Sequence, residues 1–209
     1  MFKSRADSAL KLAERLSKYR GKNPLVLGIP RGAVPMARVI SNALGGELDV
    51  VLVHKLRAPG QPELAIGSVD EEGHVYLNRI ARDLGISDPE IEAERKTQVR
   101  MLQSRRNYYT PVRPPVYPAG RIVIVVDDGL ATGASMIAAL RSVRTKKPLK
   151  LVMALPVASR EGLEEAGKLA DETVCLLVPE LFYSVGQFYE SFDQVSDDEV
   201  IKILREETG

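Results

Sequence analysis

The stretch RIVIVVDDGLATGAS, residues 121–135, carries the strongest indication of the fold in this sequence. Its segment IVIVV is apolar throughout and rich in β-branched side chains, which is typical of a strand buried on both faces of a parallel sheet. Two adjacent acids, Asp127 and Asp128, end this run, and a loop of small residues and hydroxyls follows. Apolar residues then recur at helical spacing from residue 136 onward. The stretch therefore predicts a buried strand, a loop and a helix in direct succession.

The same alternation of apolar runs and helical patterns continues on both sides of this stretch. Short apolar runs that are typical of buried strands occur at PLVLGIP, LDVVLVHK, LKLVMALP and ETVCLLV. Helical segments separate them, such as VPMARVISNALGG, which ends at paired glycines. Strands that alternate with helices build a parallel sheet covered on both faces. We therefore predict an α/β fold with an open parallel sheet flanked by helices.

Length and composition favour a single globular unit. The chain has 209 residues, so we expect one domain over residues 1–209, with its core at about 22–178 and a C-terminal hood and helix at about 179–209. Charged residues make up 27% and the formal net charge is +1, so no global field attracts nucleic acid or an anionic membrane. No apolar run approaches the roughly 20 residues that span a bilayer, and the N-terminus lacks the apolar core of a signal peptide. We expect a cytoplasmic protein whose single cysteine, Cys175, packs as a small apolar residue.

The segment RAPGQPELAIGSVDEEGHVYLN, residues 57–78, interrupts the alternating pattern. Its prolines, glycines and short apolar alternations predict a loop and a hairpin. Ser87 and Glu90 then form a capping box that starts a long helix, which we expect to end near Tyr108. Ser196 and Glu199 form a second capping box, which predicts the start of a C-terminal helix. The basic end of this helix either contacts a phosphate or nucleic acid or is a solvated face, which is the usual explanation of such charges. Its basic residues are Arg100, Arg105 and Arg106.

The loop after the paired acids has the features of a phosphate pocket. In open α/β sheets, ligands bind beyond the carboxyl ends of the strands, where amides at the next helix N-terminus attract anions. Gly129 and Gly133 permit tight turns there, and Thr132 and Ser135 offer hydroxyls. The loop is neither a Walker loop nor a dinucleotide-binding motif. Two carboxylates would repel the phosphate itself, so we expect them to face ligand hydroxyls or a metal ion.

This element resembles the signature of type I phosphoribosyltransferases. The resemblance implies an inserted flexible loop and a small hood on the α/β core. It also implies that Asp127 and Asp128 contact the ribose 2- and 3-hydroxyls of phosphoribosyl pyrophosphate and help to place Mg²⁺. The loop amides would hold the 5-phosphate, at Gly129, Leu130, Ala131, Thr132, Gly133, Ala134 and Ser135. The alternative is a pair of aspartates that caps the helix and has no ligand.

A second match lies in LGIPRGAVPMA, which resembles the pyrophosphate loop of the same family. The resemblance places Arg31 and Gly32 against the diphosphate and implies a cis peptide bond between Pro30 and Arg31. Arginine suits bidentate contact with phosphate. Lys55 and Arg57 follow the second predicted strand, where family members carry cations that meet the leaving pyrophosphate. Lys55 at a strand end could equally be a solvated lysine.

Other parts of the site are less defined by the sequence. The segment APGQPELAIG falls where the family has a mobile loop over the reaction centre. Ala131 stands where some purine salvage relatives have a third acid, so we expect Glu63 to replace it as general base. A C-terminal aromatic cluster could contact the acceptor base, form the hood core or make a dimer contact: Phe182, Tyr183, Phe188, Tyr189 and Phe192. His54 and His74 lack partners at ligand spacing, so we expect no metal bound by histidine.

The leading hypothesis is a Mg²⁺-dependent phosphoribosyltransferase, that is, a pentosyltransferase of nucleotide metabolism. It would transfer 5-phosphoribosyl from phosphoribosyl pyrophosphate to a nitrogenous base and release pyrophosphate. The sequence is similar to a bacterial subgroup of predicted phosphoribosyltransferases with unknown acceptors, and we expect a homodimer that binds no nucleic acid or membrane. The alternative is a regulatory protein that senses phosphoribosyl pyrophosphate or nucleotides with weak or no catalysis. A sugar-phosphate hydrolase is a third possibility, but the sequence offers no activated nucleophile or metal cluster for it.

Overall fold

The computed structural model describes residues 1–206, which contain eight strands and seven α-helices. The strands are β1 (Leu25–Gly28), β2 (Glu47–Val50), β3 (Val53–Ala58), β4 (Gln61–Asp70), β5 (Val75–Leu77), β6 (Ile122–Val126), β7 (Lys150–Val157) and β8 (Glu172–Leu177). Five of them form a central sheet in the order β2-β1-β6-β7-β8, and every neighbouring pair in it is parallel. The predicted α/β architecture is confirmed.

Helices cover both faces of this sheet. They are α1 (Arg5–Arg15), α2 (Val34–Leu44), α3 (Arg79–Asp83), α4 (Asp88–Tyr109), α5 (Ala134–Thr145), α6 (Arg160–Gly167) and α7 (Asp197–Arg205). Helices α1 and α2 pack on one face, with α7 against α2, and α5 and α6 pack on the other face, whereas α4 packs against β3 and β4. Burial on both faces explains why the strands are continuously apolar. None of the helices within residues 1–206 is long and apolar enough to cross a bilayer.

The inserted segment matches its prediction in part, because β4 and β5 form the expected hairpin with its turn at residues 71–74. The run LDVVLVHK was expected to be one strand, but β2 ends at Val50 and β3 begins at Val53 in a second, antiparallel sheet of order β3-β4-β5. The segment APGQPELAIG is not a loop, because β3 and β4 form a hairpin whose turn contains Gly60 at φ 71°. Gly67 permits the pairing of β4 with β5, since a Cβ at this position would lie 2.1 Å from the Tyr76 carbonyl oxygen. Apolar content alone does not reveal where a chain leaves one sheet for another.

The two predicted capping boxes are present. The Ser87 amide donates to Glu90 Oε2 at 3.0 Å and starts α4, which ends at Tyr109, one residue beyond the predicted end. At α7, the Ser196 amide donates to Glu199 Oε2 at 2.7 Å. These contacts form between residues three apart, so the sequence alone identifies them.

The C-terminal hood packs against the beginning of the chain. The Phe2 amide donates to the Phe188 carbonyl at 2.7 Å, and the Tyr189 and Phe192 rings stack with centroids 4.9 Å apart. Phe2 and Tyr189 are buried, whereas Tyr183 is 81% exposed. Of the roles left open for the aromatic cluster, the structure therefore shows a hood core for Tyr189.

Glu172 at the start of β8 accepts three hydrogen bonds. Lys18 Nζ and the Tyr19 hydroxyl each lie 2.7 Å from its oxygens, and Lys150 Nζ lies at 2.9 Å. Burial opposes its ionisation, but these donors prevail and lower the pKa of Glu172 to about 2. Because the folded pKa lies below the unfolded value, the carboxylate stabilises the fold fully above the unfolded pKa. That stabilisation is lost as the pH falls toward about 2.

Glu172→Gln is therefore expected to lower the free energy of unfolding by about 1–3 kcal/mol near neutral pH. Urea unfolding of both proteins at several pH values measures this difference. We expect the difference to be constant above about pH 5.5 and to shrink steadily below it. A difference that stayed constant down to about pH 3 would contradict the assignment.

Candidate active site

The chain after β6 forms a loop that lines a cavity. This cavity of about 140 Å³ is lined by Lys55, Asp127, Val185 and residues 129–136. Gly133 has φ 80°, a left-handed conformation that glycine adopts without strain. Gly129 is needed for space, because a Cβ there would lie 2.4 Å from Val185 Cγ1. The predicted succession of strand, loop and helix is therefore observed.

The carbonyl groups of this loop are held by neighbouring elements. Ser159 donates from its amide to the Leu130 carbonyl at 2.8 Å and from its hydroxyl to the Ala131 carbonyl at 2.5 Å. The buried Ser68 of β4 donates to the Ala134 carbonyl at 2.9 Å. Within residues 1–206, the amides of residues 131–135 have no hydrogen-bond acceptor in the protein. Five amides, in the loop and at the N-terminus of α5, thus have no protein acceptor among the described residues and can donate to an anion.

Asp127 is the acid that lines this cavity. Its Oδ1 accepts the Asp128 amide at 2.9 Å. Burial, together with the neighbouring Asp128 carboxylate, raises the pKa of Asp127 well above its usual value, and Lys55 opposes this shift. A cation or a set of hydroxyls in the cavity would favour the charged form.

Asp128 has different surroundings. Its Oδ2 lies 2.9 Å from both Nε and Nη2 of Arg5 on α1, and its carbonyl accepts the Tyr189 hydroxyl at 2.6 Å. A Cβ on Gly32 would lie only 2.2 Å from Asp128 Oδ2, so the glycine permits this packing. Burial raises the pKa of Asp128, and Arg5 opposes this shift. The two carboxylates therefore have different neighbours, Asp127 at the cavity and Asp128 at Arg5. The prediction that both contact one ligand stays a prediction.

A second, cationic cavity adjoins the first. It has a volume of about 430 Å³ and shares Lys55 and Ser135 with the loop cavity. Its lining brings together the predicted Arg31, Lys55 and Glu63 with Arg57, His54 and Arg105. The peptide bond between Pro30 and Arg31 is cis, as the resemblance implied. Lys55 and Glu63 lie on β3 and β4, so the hairpin forms one wall.

The histidines have distinct environments. Burial and the nearby charges of Arg57 and Arg105 lower the pKa of His54, so its ring is neutral near pH 7. The expectation that no other potential metal ligand lies near His74 is wrong, because ligand atoms of Asp70, Glu72 and His74 lie within 4.8 Å of one another. Asp70 accepts both the His74 amide and ring nitrogen, at 2.9 Å and 3.0 Å, so this cluster is a hydrogen-bonded turn.

A further cavity of similar size lies beside the hairpin. It has a volume of about 450 Å³ and lies between residues 57–62 and the first half of α4. None of the loop residues or paired acids lines it. We therefore place the candidate active site in the two adjoining cavities, where fixed amides, a carboxylate and cations converge.

Sequence reasoning missed Arg5 and Tyr189 as neighbours of the paired acids. Arg5 is separated from Asp128 by 123 positions. The residues around Arg5 in α1 do not indicate a distant acidic partner, so the ion pair becomes visible only in the structure. Arg105 was noted as part of a basic helix end, but its position at the cationic cavity was not predicted.

Comparisons with known proteins agree with this geometry. A family model for the phosphoribosyl transferase domain matches residues 3–192, which also covers the first helix and the first part of the C-terminal region. Candidate phosphoribosyl transferases from two Mycobacterium tuberculosis strains, CDC 1551 / Oshkosh and H37Rv, are each 40% identical over 205 residues. The match covers 98% of this chain and 46% of each relative, so the chain spans about half the length of these curated relatives.

A solved structure shares the whole fold. The crystal structure of TT1426 from Thermus thermophilus is 44% identical, has a TM-score of 0.84, and covers 98% of this chain and 97% of its own. The family match spans most of the chain and includes both cavities. The chain therefore belongs to the phosphoribosyl transferase domain family.

Proposed function

We propose that this protein transfers the 5-phosphoribosyl group from phosphoribosyl pyrophosphate to a nitrogenous base and releases pyrophosphate. One observation carries the proposal: the fixed amides of residues 131–135 share their cavity with Asp127, and this cavity adjoins the cationic cavity of Arg31 and Lys55. A phosphate monoester, vicinal hydroxyls and a diphosphate are the three parts of this donor. They match the amides, the carboxylate and the cations in that order.

The loop and the paired acids would bind the ribose 5-phosphate half of the donor. The amides and the positive end of α5 attract the phosphate, and the hydroxyls of Thr132 and Ser135 can donate to it. Asp127 accepts hydrogen bonds from ribose hydroxyls. The carbonyls held by Ser159 and Ser68 keep the amides in place before the donor arrives.

The cationic cavity would bind the diphosphate and stabilise it as it leaves. When the bond from ribose C1 to the diphosphate oxygen breaks, negative charge develops on the leaving group and the ribose gains oxocarbenium character. Arg31 offers bidentate hydrogen bonds to that charge, and Lys55 lies where the two cavities meet. The acceptor nitrogen then forms its bond to C1 and loses a proton.

The residues present fit a magnesium ion. Mg²⁺ prefers oxygen ligands and is usually held by one or two carboxylates together with substrate phosphates. Asp127 lines the cavity as such a carboxylate, while Asp128 has one oxygen engaged by Arg5 and only the other available. We therefore propose Asp127 as the principal protein ligand. Asp128, which does not line the cavity, would become a second ligand only by turning its carboxylate away from Arg5. A bound Mg²⁺ would neutralise charge on the diphosphate oxygens.

A panel of nucleobases tests the reaction. Each base is mixed with the protein, phosphoribosyl pyrophosphate and Mg²⁺, and pyrophosphate release is measured. The proposal expects release that depends on one base or a few related bases. Donor binding by calorimetry without any turnover would instead favour the sensor, the second candidate function. Ala131 supports that alternative, because it leaves the loop without the third acid of some relatives.

Glu63 is our candidate for the proton acceptor, since it is the carboxylate in the cationic cavity. Glu63→Gln is expected to lower kcat by roughly 10²- to 10⁴-fold with an unchanged donor affinity. The measurement uses the acceptor that the panel identifies, and Glu165→Gln, an exposed change on α6, is the control. An unchanged kcat would exclude Glu63 from proton transfer.

A further inference from the structure

We infer that Arg105, on the long charged helix α4, is a further diphosphate-binding residue of the donor site. The inference rests on the proposed function, because it assumes that a diphosphate enters the cationic cavity. Arg105 lines that cavity together with Arg31 and Lys55, although it comes from an element remote from both in sequence.

The side chain of Arg105 is held at the cavity by a carboxylate that it shares with Arg31. Arg105 Nε lies 3.5 Å from Asp197 Oδ1, and Arg31 Nη1 lies 3.4 Å from Asp197 Oδ2. The Tyr109 hydroxyl donates to Asp197 Oδ1 at 2.5 Å and fixes this carboxylate. Two guanidinium groups that line the cavity thus converge on one carboxylate beside it.

These ion pairs leave Arg105 able to bind a further anion. Separations of 3.4–3.5 Å are longer than those of good charge-assisted hydrogen bonds, which are about 2.7–2.9 Å. The Arg105 side chain is 24% exposed, so it can reach a ligand without being unpacked. A guanidinium group has five donors, and one long contact to Asp197 uses few of them.

The charge of the cavity also favours an anionic ligand. Its lining contains one carboxylate, Glu63, and four cationic side chains: Arg31, Lys55, Arg57 and Arg105. Asp197, next to the cavity, offsets one further positive charge, and an excess of positive charge remains. The lowered pKa of His54 keeps that ring neutral near pH 7. An excess of positive charge in a cleft attracts a multiply charged anion and would be costly without one.

Neighbouring arginines of α4 have other positions, which singles out Arg105. Arg106 lies on another side of the helix and donates to both oxygens of Glu71 at 2.7 Å. Arg100 is exposed and does not line either cavity of the site. A solvated charged face explains Arg100, but it does not explain a half-buried arginine beside Arg31.

The test compares Arg105→Ala with Arg100→Ala, a matched control that removes the same charge from the same helix. Calorimetry in the presence of Mg²⁺ measures the binding of pyrophosphate, phosphoribosyl pyrophosphate and ribose 5-phosphate. We expect Arg105→Ala to weaken pyrophosphate and phosphoribosyl pyrophosphate by roughly 10- to 100-fold. Ribose 5-phosphate, which has no diphosphate, is expected to bind as it does to the wild type. Arg105→Gln, which keeps part of the packing, repeats the comparison if the alanine variant does not fold.

Each outcome decides between the inference and the proposed function. If the Arg105 variant binds pyrophosphate as tightly as the wild type, the inference is wrong while donor binding still supports the proposed function. An equal loss for ribose 5-phosphate also overturns the inference, because the effect would then not be confined to the diphosphate. If the wild-type protein binds neither ribose 5-phosphate nor phosphoribosyl pyrophosphate, the proposed function fails, and the inference fails with it.

Discussion

Replacing both acids after β6, Asp127→Asn with Asp128→Asn, is expected to abolish measurable binding of phosphoribosyl pyrophosphate in the presence of Mg²⁺. Asp127 is the carboxylate of the loop cavity. The neutral amide that replaces it binds a divalent cation less strongly and accepts weaker hydrogen bonds from hydroxyls than a carboxylate does. Losing charged contacts to a bound ligand costs about 2–5 kcal/mol, which corresponds to at least a roughly 30-fold weaker affinity. Calorimetry with the donor measures this loss.

The single variants separate the two acids. Asp127→Asn should account for most of the lost affinity, because Asp128 faces Arg5 and does not line the cavity. The control is Glu164→Gln with Glu165→Gln, which removes two adjacent carboxylates from the exposed face of α6. A doubly substituted protein that bound the donor as tightly as this control would remove the acids from the site.

Arg5→Ala is expected to give the largest loss of stability among these variants. Arg5 pairs with Asp128 at 2.9 Å, and these side chains are only 14% and 16% exposed. Arg5 also donates to the Asp193 carbonyl at 2.6 Å and lies 3.8 Å from the centroid of the Phe192 ring. Its removal leaves a largely buried carboxylate without its cation, which costs about 2–4 kcal/mol. That loss corresponds to a melting temperature lower by about 4–16 °C.

Thermal unfolding of Arg5→Ala beside Arg15→Ala measures the effect of the ion pair. Arg15 is an exposed arginine on the same helix, so its replacement should change the melting temperature little. Combining Arg5→Ala with Asp128→Asn should cost less than the sum of the two single changes, because both act on one pair. Equal melting temperatures for the two arginine variants would contradict the role of Arg5 in joining α1, the hood and the loop.

The local features of this chain follow from its sequence, whereas its long-range contacts do not. An unbroken apolar run predicts β6, and Ser87 and Ser196 predict the starts of two helices, because the interacting residues are neighbours along the chain. The division of LDVVLVHK between two sheets depends on packing that an apolar run does not encode.

The candidate site shows the same limit. The loop glycines and hydroxyls are recognisable because one continuous segment carries them. The Arg5–Asp128 pair joins residues 123 positions apart, and Arg105 reaches Arg31 only through Asp197 of a third element. Charged residues of a helix have the same sequence pattern whether they face solvent or a ligand, so their partners become visible only in the fold.

A crystal structure with phosphoribosyl pyrophosphate and Mg²⁺ is the most direct test of the proposed donor site. The predicted result is a 5-phosphate on the amides of residues 131–135, ribose hydroxyls at Asp127 and a diphosphate beside Arg31. The contrary result is a donor bound elsewhere, or a loop cavity without a phosphate at donor concentrations that saturate the protein in solution.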